Sequence, residues 1–273
     1  MTVVGAARPT ARRPGRGRLL RRTRARVPAA PGTGDRVWRD DAAVVGRRVL
    51  PELAATLVAL CTSMALLGWL VTDVLDDTAL GRSDLAVVRD LAERRTPTLD
   101  VVTGAATWLA NTAFVLGVMA VGAVLAARWT RRWVAPVFLL AAVGGEKLVY
   151  LVVSLAVGRA RPPVPTTGFV HATTSFPSGH VGAAVALYGA IALLLLWSPA
   201  ASTTARGAAV AVAVLAPPLV AFARVYRGVH YVTDVVAGLL LGCLWLVAIA
   251  YVVARQFSAP GRARPVLHRP PAT

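Results

Sequence analysis

The chain has 273 residues, is 56% hydrophobic and only 16% charged, and has a mean hydropathy of +0.61. That balance excludes an ordinary soluble domain, which is less apolar and more charged, and marks an integral membrane protein. The net charge of +17 is concentrated at the start, because residues 1–50 hold 13 arginines against three aspartates.

In residues 1–50, arginines are mixed with alanine, proline and glycine, and no apolar face repeats. Most of this segment, as far as about residue 35, reads as disordered. A nucleic-acid arm is set aside, because no aromatic residue interleaves the arginines of 1–35 for base stacking. A mitochondrial presequence would be Ser-rich, yet the first serine is Ser63, and the first apolar run begins too late for a signal peptide. The segment reads as a cytoplasmic tail that sets topology and touches anionic lipid. Residues 257–273 form a second basic tail, which leaves 51–256 as the membrane domain.

Runs of about 20 weakly charged residues mark membrane spans. They predict six, at 53–72, 101–127, 134–157, 181–197, 207–223 and 232–254. Between the first two, "DLAVVRDLAERRTPTLD" (84–100) has helical apolar spacing at Leu85, Val88, Leu91 and Ala92. It predicts a short interfacial helix packed on the outer surface. Asn111, in the second predicted span, reads as an interhelical hydrogen bond. Cys61 and Cys243 lie inside predicted spans without CxxC or metal-ligand spacing. They predict buried small hydrophobes, with no disulfide and no metal site. Glu146 and Lys147 fall deep in the third span, where ionisable groups are costly and usually paired or functional. Pro217-Pro218 predicts a kink in the fifth span.

Basic residues favour the cytoplasmic side. The tail, "RWTRRW" (128–133), the short loop ending at Arg206, and Arg255, Arg262, Arg264 and Arg269 are therefore placed inside. Residues 73–100, with seven acids and four arginines, are placed outside. Trp129, Trp133 and Trp197 fall at the inner boundaries, where indole rings anchor well. The predicted fold is all-α, a six-transmembrane-helix bundle with both termini cytoplasmic, multi-pass in the plasma membrane.

Three stretches then meet on the extracytoplasmic side: "GRARPP" (158–163), "PSGH" (177–180) and "ARVYRGVHYVTD" (223–234). Arg159, Arg161, Arg224 and Arg227 break the usual charge bias of outside loops, so the cluster needs a reason. Arginine forks match phosphate oxygens, and the free N–H groups of a helix start add to such a clamp. Ser178 and Gly179 stand where the fourth span begins, with N–H groups predicted to be unpaired. His180 can protonate a leaving oxygen. His230 and Asp234 are four apart and share a helix face, so a carboxylate can fix the imidazole tautomer and sharpen its other nitrogen. The set suits phosphate-ester cleavage through a phosphohistidine, with no metal and no cofactor.

The spacing Arg161-Pro162, Pro177-Ser178-Gly179-His180, Arg224-x5-His230-x3-Asp234 resembles the type 2 phosphatidic acid phosphatase and vanadium haloperoxidase superfamily. The resemblance covers about 84–253 and excludes both tails. It implies an α-helical bundle, six-spanning in integral members, with His230 attacking phosphorus, Asp234 behind it and His180 as general acid. Arg161, Arg224, Ser178 and Gly179 would bind phosphate, and Arg159 joins them as a further candidate. Two positions depart from the family pattern: Ser154 stands where a lysine is usual, and Ala223 where a serine is usual. Lys147, the chain's only lysine, shares the face of Ser154 but lies two helical turns, about 10 Å, deeper. Lys147, Glu146 and Ser154 are kept as residues behind the site, either a structural network or a contact to the head group.

The expected partners are a lipid phosphate substrate and membrane lipids. Phosphatidate, phosphatidylglycerol phosphate and a polyprenyl pyrophosphate all fit, and no nucleic acid is expected. A phosphotransferase with the same phosphohistidine and a non-catalytic lipid-binding relative are the alternative readings. Tyr226 and Tyr231 read as belt aromatics, Arg227 as an interface residue, and His171 as solvated in an outer loop. His268, in the tail, is assigned nothing.

Overall fold

The computed structural model describes residues 43, 45–130, 133–168 and 174–257. The disordered-tail reading of 1–35, His171 and His268 all lie outside these residues. Among the described residues there are eight α-helices and no strand: α1 (Leu50–Trp69), α2 (Ala79–Glu93), α3 (Pro97–Trp108), α4 (Thr112–Thr130), α5 (Val134–Val157), α6 (Gly179–Trp197), α7 (Thr203–Tyr226) and α8 (Val232–Phe257). Six stretches are long and apolar enough to cross a membrane. They are α4, α5, α6, α7, residues Val232–Arg255 of α8, and Gly46–Val74, in which π-helical turns at Val45–Val49 and Leu70–Val74 extend α1. The fold is the expected all-α bundle of six membrane-length helices.

Two short helices lie between the first and second spans, and local capping explains both. Thr78 Oγ1 accepts from the Leu80 N–H to open α2, and Thr96 Oγ1 accepts from the Leu99 N–H to open α3, with Pro97 at its first turn. In α2, Asp84 and Val88 are buried and Leu85, Leu91 and Ala92 are half-buried, so the expected apolar stripe does face the protein.

The predicted second span, 101–127, needs correction. It joins α3 to α4 across a break at 109–111, and only α4 is of membrane length. Asn111 makes the break: its Oδ1 accepts from the Ala113 N–H at 2.9 Å, a local cap and not the interhelical bond expected of it. A run of apolar residues registers composition, and a single capping side chain is enough to cut it.

α5, α6 and α8 form the centre. Phe138, Leu139, Val149, Leu187, Leu241, Trp245 and Ile249 are fully buried among them. Small residues allow the close approach that apolar burial does not drive inside a membrane. α6 buries Gly182, Ala183, Ala186 and Ala190. Gly145 on α5 lies flat against the Trp245 ring, and a Cβ there would come within 2.1 Å of it. Trp245 Nε1 donates to the Ala142 carbonyl at 2.9 Å, which fixes that ring in place. Large apolar side chains such as Leu155 and Val247 are exposed on the outside, as lipid contact requires. Both cysteines are free, but Cys243 is exposed and Cys61 half-buried, so they are not the buried pair expected. α7 continues through Pro217 and Pro218, although the carbonyls of Ala213 and Val214 lose their usual donors there.

Gly145→Ala is expected to lower the melting temperature in detergent, because the rigid indole must move. Overpacking of this kind costs about 1–3 kcal/mol. Gly144→Ala is the control: nothing lies within 4 Å of a Cβ there, and its melting temperature should hold or rise.

Candidate functional site

Four helix ends converge at one end of the bundle: the last turns of α5 and α7 and the first turns of α6 and α8. Gly158 ends α5 in the left-handed region, at φ 64°, and its N–H closes on the Ser154 carbonyl. The chain then turns to present Arg159 and Arg161. The return segment is pinned to this strand of arginines by Ser175, whose N–H donates to Arg159 O at 2.8 Å and whose Oγ donates to Ala160 O at 2.9 Å. α7 ends at Tyr226, and Gly228 at φ 71° reverses the chain into His230 and α8.

Asp234 is the centre of the cluster and is 0% exposed. Its Oδ2 accepts from the Tyr231 N–H at 2.9 Å and faces His230 Nδ1 at 3.5 Å. Its Oδ1 accepts from Arg159 Nη1 at 2.7 Å. Its main-chain carbonyl accepts from the Ser178 N–H at 2.9 Å. The N–H of Ser178 is therefore not free for an anion, contrary to the sequence expectation. The Ser178 hydroxyl is buried with no partner, and no side-chain cap closes α6.

Arg224 is buried on the last turn of α7, and its Nε has no partner. Arg161 Nη1 donates to the Val229 carbonyl at 2.5 Å. His180 lies within electrostatic reach of Arg224, Lys147, His230 and Arg161, so the two histidines and the two arginines share one neighbourhood. Burial pushes the His230 imidazole down to about 4, Arg224 and Arg161 push the same way, and Asp234 opposes them. His230 is thus neutral at pH 7, with Nδ1 towards a carboxylate and Nε2 the nitrogen left for other chemistry. A neutral imidazole beside buried guanidinium groups can attack an anionic electrophile that those groups hold.

The residues behind the site behave differently from one another. Lys147 Nζ donates to the Gly179 carbonyl at 3.0 Å, lies 5.4 Å from the centre of the Tyr150 ring, and is 4.0 Å from the Glu146 carboxylate. It reaches the first residue of α6 despite its depth. Glu146 is fully buried beneath Gly182, and neither carboxylate oxygen has a hydrogen-bond partner. Ser154 Oγ donates to the Leu151 carbonyl of its own helix at 3.1 Å.

Three residues flanking His230 are engaged within the protein. Tyr226 is 1% exposed and accepts from the Thr96 N–H at 2.8 Å, so it is no belt aromatic. Tyr231 lies under the Arg159 guanidinium, 4.0 Å from ring centre to Cζ. Arg227 Nη1 donates to the Asp100 carbonyl at 3.2 Å and ties α7 to α3. Three residues at the site were missed: Asp84, Thr233 and Tyr150. Asp84 Oδ1 caps α8, accepting from the Val232 N–H at 2.6 Å and the Thr233 N–H at 3.2 Å. The sequence did hold a signal, because Asp84 is an acid on the buried stripe of α2, four residues before Val88. Tyr150 packs its ring on Gly179 and bears electrostatically on Arg161 and Arg224.

With this geometry in hand, the chain can be set beside known proteins. Phosphatidylglycerophosphatase B from Bacillus subtilis (strain 168) is 30% identical over 167 residues, covering 61% of this chain and 81% of that protein. The crystal structure of a transmembrane PAP2-type phosphatidylglycerolphosphate phosphatase from Bacillus subtilis is similar with a TM-score of 0.61 at 25% identity, covering 74% of this chain and 94% of that one. Fold and relatives together define a membrane lipid phosphatase, a phosphoric ester hydrolase. A family model described as the PAP2 superfamily matches residues 135–258, and the chain belongs to that superfamily.

Gly179→Ala tests how tightly the start of α6 is placed. A Cβ there meets the Tyr150 ring at 2.7 Å and displaces the segment carrying Ser178 and His180. Phosphate release, measured as kcat/KM, is expected to fall by about 10²-fold, the effect of a displacement near 1 Å.

Proposed function

We propose that this phosphatase removes the phosphate monoester of a phosphatidylglycerophosphate-like lipid through a phosphohistidine on His230, at a site opening to the extracytoplasmic side of the plasma membrane. The observation that carries the mechanism is the buried His230–Asp234 contact beside Arg224 and Arg161. The printed names of both relatives support the lipid class.

Arg161, Arg224 and the Ser178 hydroxyl hold the phosphoryl oxygens, with the unfilled end of α6 adding its positive pole. His230 Nε2 attacks phosphorus, and the bond from phosphorus to the glycerol oxygen breaks. With the anionic phosphoryl group bound beside it, His180 carries a proton, gives it to that oxygen, and the lipid alcohol leaves. Neutral His180 then takes a proton from water. The resulting hydroxide displaces His230, releasing inorganic phosphate and restoring both histidines. Asp234 stabilises the positive charge that develops on the His230 ring, with Nδ1 still protonated. The arginine-rich segments and the acid-rich 73–100 support the orientation.

His230→Ala is expected to reduce phosphate release from detergent-solubilised lipid by at least about 10³-fold, the scale seen when a covalent nucleophile is deleted. Wild-type activity should survive excess chelator and be inhibited by vanadate. Equal turnover before and after the His230 change would refute the phosphohistidine. The pH profile offers a second check. His230 must be neutral to attack, so kcat/KM should hold as pH falls through 6.5 and drop only as it approaches about 4.

A further inference from the structure

Arg159 was expected to bind phosphate, but its hydrogen bonds go elsewhere. It is 4% exposed. Its Nη1 donates to Asp234 Oδ1 and to Thr233 Oγ1, each at 2.7 Å. Its Nη2 lies 3.5 Å from Asp84 Oδ2 and 3.8 Å from Asp76 Oδ1, and the guanidinium plane stacks on Tyr231. Thr233 Oγ1 in turn donates to Asp84 Oδ2 in a short hydrogen bond. The side chains of Asp84 and Asp234 are 2% and 0% exposed. Three segments distant in sequence, α2, the turn after α5 and the start of α8, are thus joined through one cation.

We infer that Asp84 and Arg159 are positioning residues that hold Asp234 against His230, and that docking of the interfacial helix α2 is what completes this arrangement. The inference rests on the phosphohistidine reading. The arrangement of charge supports it. Asp84 and Asp234 both face the Arg159 guanidinium, with the exposed Asp76 at its edge, and Arg161 bears on Asp234 as well. Asp234 is the carboxylate that meets the positive charge arising on His230 when Nε2 bonds to phosphorus while Nδ1 keeps its proton. Arg159 holds Asp234 ionised and oriented through Oδ1, leaving Oδ2 for the histidine. Removing Arg159 would leave two buried carboxylates facing each other, a costly state that turns Asp234 away from its task. Because Arg159 is engaged by acids, it contributes little to holding phosphate.

The test separates positioning from phosphate binding. Phosphate release from a phosphatidylglycerophosphate–detergent micelle is measured for wild type, Arg159→Met, Arg159→Lys, Asp84→Asn and, as the phosphate-binding control, Arg224→Ala. Inhibition by inorganic phosphate and the melting temperature are recorded for each. Arg159→Met is expected to lower kcat about 10²-fold, on the scale of a misplaced reacting group, with the inhibition constant for phosphate essentially unchanged. Arg159→Lys should recover part of kcat, and Asp84→Asn should reproduce the kcat loss in milder form. Arg224→Ala should instead weaken inhibition by phosphate. If Arg159→Met weakens phosphate inhibition as Arg224→Ala does, or leaves kcat intact, the inference is overturned. If Arg159→Met does not fold, Arg159→Lys and Asp84→Asn decide: kcat at the wild-type level in both overturns it. An inactive wild type, or a His230→Ala variant with full activity, overturns the phosphohistidine reading itself, a result distinct from any change confined to Arg159 and Asp84.

Discussion

The cluster depends on a single buried carboxylate. Asp234 accepts the Ser178 N–H on its main-chain carbonyl, the Tyr231 N–H on one carboxylate oxygen, which also faces His230 Nδ1 at 3.5 Å, and the Arg159 guanidinium on the other. A charged carboxylate this deep demands partners for its oxygens. That demand fixes the relative positions of the α5 turn, the start of α6 and the start of α8. Arg161, Arg224 and His180 are arranged around that fixed point.

The rest of the bundle makes such convergence possible. Helices inside a lipid environment gain nothing from apolar burial against one another, so close packing must come from shape. The glycine and alanine face of α6 and the Gly145–Trp245 contact let α5, α6 and α8 approach closely. Their ends then lie near enough for side chains of ordinary length to meet. Lys147 shows the same economy, since a residue two turns below Ser154 on α5 reaches the first carbonyl of α6.

Much of this was readable in the residues. Apolar run length located five of the six spans, although the first, Gly46–Val74, starts earlier than the expected 53, because hydrophobic thickness is a coarse constraint that composition satisfies directly. The ordered motifs located Arg161, Ser178, His180, Arg224, His230 and Asp234 at one end of the bundle. What escaped depends on contacts between distant segments. Asn111 cuts an apolar run through one local hydrogen bond, which hydropathy does not register. Asp84 looked like an ordinary acid of an outer loop, and only the packing of α2 on α8 reveals that it caps another helix. Arg159 and Arg161 are two residues apart and look interchangeable in sequence. The turn after Gly158 sends one into a nest of acids and the other towards Val229 and the histidines.

The two helix starts at the site are unequal. α8 has its leading amides capped by Asp84, whereas α6 opens at Ser178 with no side-chain cap. Under the function proposed above, an incoming dianion would meet a quenched pole on one side and a live one on the other. On that proposal the asymmetry would give the bound group a direction, with its oxygens towards α6 and the open face of phosphorus towards α8 and its imidazole.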